Sequence, residues 1–159
     1  MKLISLTISF LIFAKTLFAI ESVAKQAIIY DMDSNSIIYE KNPDMLMSPS
    51  SMSKLLTVYY VFDKLKKEEI SLKDKFRVSK NAWKKGGSKM FVNENSLVTI
   101  EDLLRGIIVQ SGNDACITIA EGFSGSESNF ANELNVLAKD IGLENSNFTN
   151  STGWPDPEH

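Results

Sequence analysis

Ser51 and Lys54 stand three residues apart in the run PSSMSK. A serine hydroxyl is a weak nucleophile at neutral pH and must shed its proton as it attacks. A lysine amine at i+3 shares a helical face with that hydroxyl and comes within hydrogen-bond reach of it. To take the proton, the amine needs its pKa lowered from about 10.4 toward neutrality, which burial or a neighbouring positive charge achieves. A serine opening a helix also places a backbone N–H where an oxyanion would form. The pair taken alone fits equally well a serine N-cap followed by a solvated lysine. A second group of residues, Ser111-Gly112-Asn113 in IIVQSGNDAC, interrupts two apolar helical stretches. All three favour turns, yet they also bring a hydroxyl and an amide. Ser111 can bond Lys54 and relay a proton to a leaving amine. Asn113 can hold a substrate amide and orient Lys54. Acyl transfer through a serine ester is the chemistry these four side chains suit.

Other chemistries find little support. Cys116 is the single cysteine, so no internal disulfide forms, and its apolar neighbours in ACITIA mark it as a buried structural thiol. The one histidine is His159. That scarcity argues against a cysteine nucleophile, a Ser-His-Asp triad and a histidine-rich zinc site, and no metal or cofactor is expected. The formal net charge of −3 gives no reason to expect nucleic-acid binding. Lys64, Lys66 and Lys67, and the pair Lys84 and Lys85, read as a solvated helix face and a loop. Asn147-Phe148-Thr149 and Asn150-Ser151-Thr152 fit the N-glycosylation pattern but read as polar loop.

The elements that must position the site follow from periodicity. Lys2 and the apolar stretch Leu3 to Ala14 have the form of a secretory signal, expected over 1–24 with cleavage after Ala19 or Ala24. An uncleaved N-terminal anchor is the alternative, and either way residues 25–159 read as exported. QAIIYDM and SIIYE flank the turn cluster Asp33-Ser34-Asn35, which predicts a β-hairpin. A helix is expected from Ser51, with Leu55, Val58, Tyr59, Phe62 and Leu65 on its apolar side. A short strand is expected at Lys75 to Ser79, Asn81 to Lys89 reads as a loop, and no later strand partner for the hairpin is clear. Thr99 predicts an N-cap for a helix to about Gln110, with Glu101 and Asp102 in its first turn. Further helices are expected over Asp114 to about Phe123 and from Ser126 or Ser128 to about Ile141, with Gly142 as C-cap. Hydrophobic residues at 43% suit a folded globular chain, but two strands cannot bury both faces of a sheet.

S-x-x-K followed by a Ser-x-Asn turn is a signature of penicillin-binding proteins and serine β-lactamases. PSSMSKLLT, GGSKMF, VTIEDLLRGIIVQSGNDA and GLENSNFTNSTGWPDPEH, in this order, resemble the low-molecular-mass penicillin-binding proteins, the D-alanyl-D-alanine carboxypeptidases of serine peptidase family S11. The hairpin AIIYDMDSNSIIYEKN resembles the family's first two strands, so the likeness runs from about Gln26 to His159. The resemblance implies an α+β, β-lactamase/transpeptidase-like fold, present here as the N-terminal hairpin plus the helical subdomain. It implies Ser51 as acyl-ester nucleophile, Lys54 as proton acceptor, Ser111 as proton relay and Asn113 as substrate-binding. The implied substrate is a peptidoglycan stem peptide ending in D-Ala-D-Ala, with β-lactam antibiotics as covalent inhibitors. The implied place of action is the periplasm or the outer face of a bacterial inner membrane, with membrane association through the N-terminus or a C-terminal anchor. Gly86, Gly87 and Ser88 resemble a loop near the family's active site.

The sequence departs from the family in lacking Lys-Thr-Gly, the third motif, which lies on a later strand in the family. The expectation is therefore a C-terminally truncated or split form, lacking the later sheet strands. Two other readings stay open. One is a non-catalytic pseudoenzyme or penicillin-binding remnant. The other is a serine β-lactamase, disfavoured because Ala131 stands where a deacylating glutamate would precede Leu134-Asn135 and because the middle motif reads SGN.

Overall fold

The computed structural model describes residues 22–159, so most of the expected signal segment lies outside the described residues. The described residues fall into two units, one up to residue 47 and one over 48–159. In the first, strands β1 (Ala27–Asp31) and β2 (Ser36–Lys41) form the expected antiparallel hairpin, with Ala27 opposite Lys41 and Asp31 opposite Ser36. The turn is built by its own polar residues. The Asp31 carboxylate accepts from the Asp33 N–H and the Ser34 hydroxyl, and Asn35 takes the left-handed conformation, φ 53°, that asparagine tolerates.

The second unit opens with a tight 3-10 turn, Ser50–Ser53, and continues directly into helix α1 (Lys54–Lys66). The expected single helix from Ser51 is thus two pieces. Ser50, at φ 49°, turns the chain sharply before the first helical residue. The expected apolar face is also corrected. Leu56, Thr57, Tyr60 and Val61 are buried, Val58 and Leu65 pack at the edge of the core, and Leu55, Tyr59 and Phe62 are exposed. The helix carries apolar residues on both sides, and periodicity alone does not choose between them.

The expected short strand is β3 (Lys75–Arg77), which pairs antiparallel with β4 (Leu97–Thr99), Phe76 opposite Val98, in a sheet separate from the first hairpin. Three residues are too few for a periodic signal, so this second hairpin is silent in the sequence. Helix α2 (Lys80–Lys84) replaces part of the expected loop, and the Ser79 hydroxyl caps it by accepting from the Ala82 N–H. Helix α3 (Ile100–Gln110) begins at the expected cap, Thr99, whose side chain accepts from the Asp102 N–H. Its Ile100, Leu103, Leu104 and Ile107 are buried at spacings of three and four.

Helix α4 (Asn113–Ser124) is buried along most of its length, and helix α5 (Glu127–Asp140) starts at Ser126, which accepts from the Asn129 N–H. Past α5, the Leu143 N–H reaches the Ala138 carbonyl and the Gly142 N–H the Lys139 carbonyl, a Schellman ending with Gly142 at φ 88°. The core gathers Tyr60 and Val61 of α1, Leu103 and Ile107 of α3, Cys116 and Ile119 of α4, and Phe130 and Leu134 of α5. Each such side chain contributes about 1.5–3 kcal/mol on burial. Tyr60 meets Phe123 and Phe130 edge-on. Among the described residues no helix is long and apolar enough to cross a membrane.

Candidate active site

Ser51 lies on the 3-10 turn, exposed, while Lys54, one turn on, is buried at 5% exposure. In a 3-10 turn residues i and i+3 eclipse, so the tight turn brings the two side chains over one another. The Lys54 Nζ is 3.1 Å from Ser51 Oγ and donates a second hydrogen bond, 2.8 Å, to the Thr152 carbonyl. Burial lowers the Lys54 amine below the usual lysine range. An opposing pull from Cys116 would require a thiolate. Burial pushes the Cys116 thiol up to about 12, so at neutral pH it is uncharged and the desolvation of Lys54 stands alone. The expectation of a buried, unreactive Cys116 holds.

The second group arrives from the end of α3. Ser111 closes that helix in the left-handed conformation, φ 53°, and is half-buried. The expected hydrogen bond from Ser111 to Lys54 is not made among the described residues. Asn113 opens α4 and is buried, with its Nδ2 donating to the Gly86 carbonyl at 2.9 Å and its N–H to the Ser88 carbonyl at 2.8 Å. It holds the Gly86-Gly87-Ser88 loop and makes no bond to Lys54. Gly87, at φ 76°, has no room for a side chain: a Cβ would stand 2.8 Å from Asn113 Nδ2 and 3.2 Å from the Trp154 ring.

These pieces enclose a cleft of about 260 Å³, lined by Ser51, Gly87, Ser88, Asn113, Thr152 and Trp154 among others. The Lys85 ammonium sits over the Trp154 ring, 4.3 Å from its centre. Ser51 and Asn113 therefore share one cavity, and the buried Lys54 amine reaches Ser51.

Three supports of this arrangement escape a reading of the sequence. Asp114, fully buried, accepts from the Met90 and Val92 N–H groups and so ties the loop after Ser88 to α4. The segment 148–154 runs against the Ser50–Ser53 turn and the start of α1. It is clasped by Asn135, which pairs both ways with the Phe148 main chain, and by Glu127, which accepts from the Ser151 N–H and hydroxyl. Asn135 is thus engaged in main-chain support, not in a deacylating pair with residue 131. Gly153, at φ 74°, passes so close to Ser50 that a Cβ would lie 1.7 Å from the Ser50 carbonyl oxygen. Asparagine-rich composition marks 147–154 as polar loop, but nothing in it marks which carbonyl meets Lys54.

Residues 14–159 match the family model described as D-alanyl-D-alanine carboxypeptidase, Peptidase_S11, and the chain belongs to this family. It is 38% identical over 136 residues to D-alanyl-D-alanine carboxypeptidase DacF of Bacillus subtilis, covering 86% of this chain and 35% of that protein. It is 36% identical over 159 residues to DacC of Escherichia coli, covering 92% and 40%. Among solved structures, DacD of Francisella tularensis superposes with a TM-score of 0.85 at 34% identity, over 95% of this chain and 38% of that one. Penicillin binding protein 5 of Haemophilus influenzae gives 0.83 at 36%, over 89% and 42%. The mixed helix-and-strand fold is therefore that of the penicillin-binding proteins, and the chain spans 35–40% of the length of these two curated relatives.

Proposed function

We propose that the chain carries the nucleophile half of a serine D-alanyl-D-alanine carboxypeptidase that acts on peptidoglycan stem peptides. The observation that carries this reading is Ser51, exposed and lining a cleft, with its hydroxyl 3.1 Å from the amine of the buried Lys54. Lys54, in its neutral form, which burial favours, accepts the Ser51 proton as Oγ attacks the penultimate D-Ala carbonyl. The tetrahedral oxyanion forms near the Ser51 N–H, which has no intramolecular acceptor among the described residues. Collapse breaks the peptide C–N bond. The terminal D-Ala leaves with a proton from Lys54, which the Ser111 hydroxyl relays once the bound substrate brings it within reach of the amine. Water then attacks the Ser51 ester, returning the proton to Ser51. Asn113 lines the cleft and offers its amide oxygen to the substrate backbone. A β-lactam enters the same attack and remains esterified to Ser51, because its ring-opened amine stays tethered. The apolar segment after Lys2 supports export, with action in the periplasm or at the outer face of the inner membrane.

The test is covalent labelling by a fluorescent penicillin, with the modified peptide located by mass spectrometry. The expected result is one label, on Ser51, lost in S51A, together with release of D-Ala from a stem-peptide analogue. Absence of label on the wild-type chain overturns the reading. Label without D-Ala release supports instead the penicillin-binding, non-catalytic alternative. Rapid turnover of a chromogenic cephalosporin supports the β-lactamase.

A further inference from the structure

His159 lies 106 residues from Ser53, yet its Nε2 is 2.6 Å from the Ser53 hydroxyl. Ser53 Oγ in turn donates to the Ser50 carbonyl at 2.9 Å. On the other side of the ring, the Thr149 N–H donates to Nδ1 at 3.1 Å. Each end of this chain fixes the tautomer separately. A carbonyl cannot donate, so the Ser53 proton points at Ser50, and Ser53 Oγ must accept from Nε2–H. A backbone N–H cannot accept, so Nδ1 must carry no proton. Both conditions select one species, the neutral ring protonated at Nε2.

What this ring holds is the nucleophile turn. Ser50 is in the left-handed region, φ 49°, at a cost of about 1–2 kcal/mol for a residue with a side chain. Its carbonyl oxygen is the atom that Ser53 holds and Gly153 approaches. Ser51 follows immediately, so the Ser50 conformation aims the Ser51 hydroxyl at Lys54. We propose that neutral His159 is a positioning residue for acyl transfer, holding Ser50 through Ser53 and releasing it when the ring takes a second proton. The proposal rests on the acyl-transfer reading of Ser51.

Protonation would set Nδ1–H against the Thr149 N–H, donor facing donor. The Thr149 hydroxyl, 3.2 Å from the same nitrogen, is its one alternative acceptor there. Burial already holds the His159 ring below its usual range, and Asp156, in the same loop, opposes that weakly. Phe148, edge-on, Thr149 and Ser53 contact the ring, and none of these three ionises at these pH values. Lys54, next to Ser53 in sequence, directs its amine to Ser51 and Thr152.

The experiment follows penicillin acylation of the full chain from pH 5 to 8, alongside ring-nitrogen NMR of His159. The expected wild-type ring is Nε2–H at pH 7.5, and acylation falls as pH drops through the His159 transition. S53A and H159A should each slow acylation at pH 7.5 by about ten- to a hundredfold, the cost of a misplaced reacting group. The double variant should be no slower than either single one. H159Q, which keeps an N–H donor but cannot titrate, should recover most of the rate and lose the acid limb assigned to His159. Should H159A fail to fold, S53A and the wild-type tautomer still decide. An Nδ1–H ring, additive effects of the two variants, or an S53A rate equal to wild type overturns the proposal. The two readings fail separately: an unlabelled wild type refutes acyl transfer, and an Nδ1–H ring refutes the His159 role whatever the labelling.

Discussion

At residue scale the site depends on two contacts that a side chain would destroy or expose. Gly153 and Gly125 share a left-handed φ of 74°, but a Cβ on Gly125 meets nothing within 4 Å while one on Gly153 strikes the Ser50 carbonyl. Gly125→Ala should therefore cost about 1 kcal/mol, the left-handed penalty alone. Gly153→Ala adds main-chain displacement and should cost at least about 3 kcal/mol and abolish penicillin labelling. Denaturant midpoints compare the two, and equal costs would show that the Ser50 contact relaxes freely. Lys54 gives a contrasting expectation. Its buried ammonium is disfavoured by desolvation, so Lys54→Met removes that penalty while orphaning the Thr152 carbonyl, two effects of about 1–3 kcal/mol and opposite sign. Stability should change by no more than about 1 kcal/mol while labelling disappears. A collapse of the fold in this variant would make Lys54 structural.

At element scale the cleft is a junction of the nucleophile turn, the start of α4 and two loops, and Asp114 joins one of those loops to α4. Asp114→Asn keeps one acceptor oxygen where two are used, so at least one of the Met90 and Val92 N–H groups loses its partner. The expected cost is about 1–3 kcal/mol, with faster hydrogen exchange at Met90 and Val92 than in the wild type. Unchanged exchange there would show that the loop is held by packing. The same elements show what sequence reveals. Thr99 and Gly142 announced their helix ends, and Ser126 or Ser128 the start of α5, because capping chemistry is local. The buried side of α1 did not, since Leu55 and Leu56, Tyr59 and Tyr60, and Phe62 and Val61 offer two competing stripes. Ser51, Lys54 and Asn113 could be picked out as candidates that the structure brings together because the chemistry proposed for them is carried by side chains in a recognisable order. The Thr152 carbonyl, Ser53 with His159, and the loop hold by Asp114 could not, because a main-chain acceptor has no sequence mark and partners about a hundred residues apart share no period.

At the scale of the whole molecule, stability is unevenly distributed. Among the described residues every buried apolar residue of the core lies between Leu56 and Phe148, in the second unit. The hairpin of the first unit leaves Ile28, Ile29, Ile37 and Ile38 exposed to different degrees, from 41% to 58%. A two-stranded hairpin is marginal in water, and exposed β-branched residues return little of the entropy spent in ordering it. Helix α4 stands at the other extreme, with Ala115 through Ala120 buried and α3 and α5 packed against it. Native-state hydrogen exchange should therefore separate the two. Amides of Ile117 and Ile119 should exchange through global unfolding alone. Those of Ile29 and Tyr39, paired across β1 and β2, should exchange through local opening at least about a hundredfold faster after correction for intrinsic rates. Equal protection in the hairpin and in α4 would mean that the two units open as one, and that something beyond the hairpin's own contacts holds it closed.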